Sequence, residues 1–122
     1  MVSILFSLLY FLSAIEVPFG TIESAFNNQD AQKISALGKD KMLVQIESKE
    51  GVYTQNQVSQ LLKDFFVKYP NGEFKYTFKS KENTESAICT GNYQSKNEIF
   101  RTTLKWKKIN SEFKLESLIL DK

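Results

Sequence analysis

Val58, Leu61, Leu62, Phe65, Phe66 and Tyr69 recur at spacings of three and four, which places them on one broad stripe of a helix. Thr54 stands at the N-cap of that stripe, and Gln57 three residues on can reach back to the cap's own N–H, so two orphan donors find partners. Pro70 lacks an N–H and drives Tyr69 out of the helical region, while Asn71-Gly72 tolerates positive φ for a turn. The pattern predicts a helix that starts at Thr54, stops at Tyr69 and covers a sheet with an aromatic face. Each of its adjacent phenylalanines contributes about 1.5–3 kcal/mol when fully buried.

Upstream, residues 18–27 place Ile22, Ala25 and Phe26 on one helical face, and Asp30 caps a second short helix carrying Ala31, Ile34 and Leu37. Gly38 suits the left-handed position that ends that helix. Residues 42–46 read as a strand, Lys49-Glu50-Gly51 as a turn, and Val52 and Tyr53 as the returning arm of a small hairpin. Beyond Gly72 the period changes to two. Phe74, Tyr76 and Phe78 alternate with Lys75, Thr77 and Lys79. Turns at 82–85, 96–98 and 110–112 then separate strands at 86–95, 99–109 and 113–120. The expected fold is α+β, in the order α-α-β-β-α-β-β-β-β, with the helices on one face of a curved, mainly antiparallel sheet.

The first stretch belongs to a different class. Residues 2–15, VSILFSLLYFLSAI, are uncharged and apolar, too short for the roughly 20 residues of a membrane span and suited to the h-region of a secretory signal. Residues 1–15 are therefore read as a signal peptide and 16–122 as one domain, exported and periplasmic, touching the membrane only in transit. Leu12 is larger than the cleavage pattern prefers and no basic residue precedes the run, which leaves a core helix or an uncleaved anchor as the alternative.

Composition narrows the chemistry. A net charge of +2, with Arg101 the single arginine, argues against nucleic acid, which favours a concentrated basic face and forked donors. Lysines on the outward strand faces read as a solvated surface that discourages edge-to-edge pairing. Asp64 and Lys68, four apart with the acid first, read as a surface ion pair. The single cysteine, Cys89, lies in a strand-like setting and reads as a small buried hydrophobe, since the chain has no histidine to activate a thiol. No pattern of metal ligands or of cofactor binding occurs, so none is expected.

The order of elements resembles the cone-shaped fold of the nuclear transport factor 2-like (cystatin-like) superfamily, and AFNNQDAQKISAL resembles the paired N-terminal helices common there. At finer grain EGVYTQNQVSQLLKDFF, SAICTGNY and LKWKKINSEFKLESLIL resemble the family of small exported bacterial proteins known as domain of unknown function 4783, over about Thr21 to Lys122. The resemblance implies the fold and an exported location, with no established activity. Enzymes of this superfamily set Asp, His or Tyr groups in the mouth of the cone, and this chain lacks His.

Two functional expectations follow. The first is a non-enzymatic binding or protein-interaction module of the bacterial cell envelope. Its inner face would join Phe65, Phe66 and Tyr69 to Phe74, Tyr76, Phe78, Tyr93 and Trp106 around a filled core or a cavity for a small apolar ligand. The second is a lyase or isomerase moving a proton in that pocket, with Tyr53 and Asp40 or Glu116 as acid and base. Homodimerisation through the open sheet face is a further expectation, which must accommodate Lys75, Lys79 and Lys105.

Overall fold

A computed structural model describes residues 16–81 and 85–122. The apolar run at 2–15 and most of the turn expected at 82–85 lie outside the described residues. Three helices, α1 (Phe19–Asn27), α2 (Ala31–Ala36) and α3 (Gln55–Lys68), pack on a sheet built from β1 (Gly38–Ile46), β2 (Lys49–Thr54), β3 (Glu73–Lys79), β4 (Ser86–Ser95), β5 (Glu98–Ile109) and β6 (Glu112–Asp121). The element order is the one the hydrophobic pattern predicts.

Capping follows the sequence closely. Thr54 accepts from the Gln57 N–H at 3.3 Å while the Gln57 side chain accepts from the Thr54 N–H at 2.9 Å, so α3 begins with both halves of a capping box. Its buried side is Val58, Ser59, Leu62, Phe65 and Phe66. Asp30 caps α2 through the Lys33 N–H at 3.0 Å, and α1 buries Ile22, Ala25 and Phe26.

The strand order is β2-β1-β6-β5-β4-β3. Strands β3 to β6 form the expected antiparallel meander, and β1 joins β6 in parallel, which makes the sheet mixed. The last element thus lies in the middle and ties the N-terminal hairpin to the meander.

Several local expectations are corrected. The hairpin turn falls at Glu47-Ser48 rather than Lys49-Glu50-Gly51, with Glu47 at φ 55°. Gly38 is not a left-handed cap. It opens β1, where a Cβ would sit 2.2 Å from Met42 Sδ, so the glycine makes room for a crossing side chain. Asn71 does adopt positive φ (54°), but Gly72 does not; a Cβ there would meet the Tyr93 ring at 2.2 Å. Asp64 does not pair with Lys68: it accepts from Gln60 Nε2 at 3.0 Å, and Lys68 reaches Glu47 at 3.3 Å instead.

The largest correction concerns β3. Its register against β4 shifts between Tyr76 and Phe78, so Thr77 is an extra residue and every later side chain changes face. Phe78, expected inside with Phe74 and Tyr76, is 55% exposed. Lys79, expected outside, instead lays its ammonium 4.6 Å from the Tyr76 ring centroid and 5.1 Å from that of Phe19.

Candidate functional site

The aromatic interior is assembled from four directions. Phe65 of α3 meets Phe100 of β5 at 4.9 Å, Tyr93 of β4 at 5.6 Å and Tyr69 at 5.2 Å between ring centroids. Phe26 of α1 stacks on Phe74 at 5.0 Å, and Phe66 lies 5.6 Å from Tyr93. Tyr76 completes the group edge-on to Phe74 at 4.9 Å. Trp106 shares the helix-facing side of the sheet beside Cys89. The expected inner set therefore comes together except for Phe78. Phe26 and Phe100 join it, although neither is among the residues the sequence predicts for the lining. The signal for Phe100 was available, because it shares the alternation of Leu104 and Trp106.

These rings fill the space between helices and sheet. Tyr93, Trp106 and Phe100 have no accessible surface, and Phe65 keeps 2%. A void holding even one water against Tyr93 or Trp106 would leave those rings partly accessible.

Polar groups in this interior serve the backbone. Tyr93 donates to Tyr69 O at 2.7 Å, Ser95 to Pro70 O at 2.6 Å and Gln29 Nε2 to Gly72 O at 3.2 Å, so the connection from α3 to β3 is pinned at three carbonyls. Tyr76 donates to Phe19 O at 2.6 Å and ties the start of α1 to β3. Burial pushes the phenol pKa of both tyrosines up. For Tyr93, hydrogen bonds from the Gly72 backbone and the Gln29 side chain oppose the rise. Burial likewise raises the Cys89 thiol, which opposes thiolate formation. Trp106 Nε1 has no hydrogen-bonded partner of good geometry, and the nearby Cys89 sulfur senses its N–H only as a weak stabilisation of the thiolate.

The acid–base set is placed differently. The Tyr53 ring lies over Gly51, within 3.3 Å of where a Cβ on that glycine would be. Asp40 is exposed on β1. Glu116 pairs with Lys39 at 3.7 Å. Among the described residues no hydrogen bond joins any two of Tyr53, Asp40 and Glu116, and no three His, Cys, Asp or Glu side chains are grouped to hold a metal ion.

Among the described residues no helix lies on the opposite face of the sheet. Strand register sets two adjacent rows across it. One runs Val52, Leu43, Ser117, Lys105, Ile88, and the other Glu50, Gln45, Ile119, Thr103, Thr90, Phe78. Val52 is 65% exposed and Leu43 49%. Thr77 and Thr90 hydroxyls meet at 2.9 Å beside Phe78. Lys105, Lys75 and Arg101 supply charge on or beside these rows, whereas the bulge has turned Lys79 away from them.

Among the described residues three helices lie on one side of a curved mixed sheet with an aromatic layer between, which makes this an α+β protein of the cystatin-like fold. Residues 19–121 match the family described as Domain of unknown function (DUF4783), and the chain belongs to that family. It is similar to solved DUF4783 proteins from Bacteroides ovatus (21% identity, TM-score 0.79, covering 88% of this chain and 96% of that one) and Bacteroides uniformis (21%, TM-score 0.79, 88% and 97%). It is also similar to a domain of unknown function with a cystatin-like fold from Nostoc punctiforme, at 10% identity and TM-score 0.66 over 84% of this chain and 71% of that one. No curated protein matches the chain.

Proposed function

We propose that this is an exported, non-enzymatic protein-interaction module of the bacterial cell envelope, and that it engages its partner through the helix-free face of the sheet. The observation that carries this reading is the placement of Val52, Leu43 and Phe78, three of the most exposed large apolar side chains, on two adjacent rows of one face. Lone exposed apolar residues are ordinary, whereas several on one face, with Lys105 among them and Arg101 and Lys75 beside them, suit a mixed apolar and charged interface.

A small apolar ligand between helices and sheet has less support, because Phe65, Phe66, Tyr69 and Tyr93 of the expected lining contact one another. The proton-transfer reading likewise lacks convergence of Tyr53 with Asp40 or Glu116. Export rests on the apolar run at 2–15, set apart from α1 by Glu16 and Pro18. A second copy of the chain is the first partner to test. Light scattering of the secreted form is expected to show a dimer that Leu43→Lys and Val52→Lys convert to monomer. A wild-type monomer that also recovers no envelope protein after crosslinking would overturn the proposal. Intact mass after expression in a bacterial host is expected to lack the first 15 residues, and a chain retaining Met1 in the cytosol would remove export.

A further inference from the structure

Away from the open face, at the edge of the aromatic interior, the β1–β2 turn and the second half of α3 border a cleft of about 200 Å³. Its base is Leu61 and Phe65, and its walls carry Glu47, Lys49, Asp64 and Lys68. Glu47 has an unusual position for its residue type. It sits at φ 55°, where glycine or asparagine would be accommodated at lower cost. What its side chain does there is hold two partners of α3: Lys68 Nζ at 3.3 Å and the Tyr69 hydroxyl at 3.4 Å, both on Oε2. The Glu47 hydrogen bond and charge raise the Lys68 pKa.

The turn is thus fixed against the helix while part of its charge stays unused. Among the described residues Glu47 Oε1 has no partner. Among the same residues Asp64 uses only Oδ1, toward Gln60, and Lys49 has no ion pair. Acceptor oxygens and a free ammonium therefore border an apolar base. The space is below the roughly 300–1,000 Å³ of pockets for drug-sized ligands, which limits the occupant to a small metabolite of amino-acid size.

We propose that this cleft binds a free α-amino acid with an aliphatic side chain. Its ammonium lies against the Glu47 and Asp64 carboxylates, its carboxylate on Lys49, and its side chain on Leu61. Both ends of such a zwitterion make charge-assisted hydrogen bonds, and a molecule with only one of the two charges leaves its counterpart on the protein unanswered. This inference does not depend on the protein-interaction reading, since the cleft and the open face share no residue.

Amide chemical-shift mapping of the purified protein tests it, with L-leucine as probe. L-leucinamide lacks the carboxylate and isocaproate lacks the ammonium. The expected result is saturable shifts around Glu47, Lys49 and Asp64 with leucine, and at least about tenfold weaker binding of each truncated probe. Asp64→Asn and Lys49→Gln are expected to weaken leucine by a similar factor, while Lys63→Ala leaves it unchanged. Absence of saturation with leucine, equal binding of leucinamide or isocaproate, or unaltered binding by both charge variants would each overturn the assignment.

Discussion

Phe65→Ala probes the packing on which the fold rests. The ring is 2% exposed and touches Phe66, Tyr69, Tyr93 and Phe100 at centroid separations of 4.9–5.7 Å. Burying a phenylalanine contributes about 2 kcal/mol by transfer from water. Removing the ring opens about 100 Å³, and an unrelaxed cavity costs about 24 cal/mol per Å³, or about 2.4 kcal/mol. The sum of about 4 kcal/mol lies inside the range of about 3–5 kcal/mol for buried aromatic truncations. That is a large share of the roughly 5–15 kcal/mol that stabilises a small domain. Lys63, exposed on the same helix, leaves no cavity when shortened, and Lys63→Ala should stay within about 0.5 kcal/mol. Denaturant melts of both variants, with unchanged slopes, measure the contrast. A cost for Phe65→Ala below about 1 kcal/mol would show that the four neighbouring rings do not pack around it, and the filled core would be refuted.

Gly72→Ala should destabilise by about 1–3 kcal/mol, because the new Cβ displaces the Tyr93 ring and its bond to Tyr69 O. A thermal melt indistinguishable from wild type would contradict this. Thr54→Ala removes half of the capping box and should cost about 1 kcal/mol, read from the same denaturant curves; no change would detach α3 from its cap. Tyr76 and Tyr93 have folded pKa values raised above the unfolded value of 10.0. Their contribution is fully present below pH 10 and is lost as pH rises beyond it, since the unfolded chain then releases protons that the folded chain retains. Ultraviolet titration should therefore show these two phenols ionising only with alkaline unfolding, and their ionisation in the folded protein near pH 10 would contradict the burial.

Local rules explain which parts of this fold are readable from residues. The α3 boundaries follow from Thr54, Gln57 and Pro70, whose effects act within a turn of the chain, and its buried stripe follows from a period of 3.6. The Thr77 bulge has no such marker. Alternation of Phe74, Tyr76 and Phe78 continues unbroken through it, and only pairing with β4 reveals the extra residue. An open sheet face is expected from the sequence, but its apolar residues are not, because Val52, Ile119 and Phe78 are far apart in the chain and the parallel pairing of β1 with β6 brings their rows together. Gly38 and Gly72 look like turn residues, yet each is set by a side chain packed against it from elsewhere in the chain.

The role proposed for the open face of the sheet is to meet another protein. Photocrosslinking in the cells that make this protein tests it directly, with a photoreactive side chain at position 52 and, as control, at position 63 on the polar side of α3. The account predicts a discrete light-dependent adduct from position 52, its mass distinguishing a second copy from a different partner, and none from position 63. No adduct from position 52, or equal adducts from both positions, would contradict it.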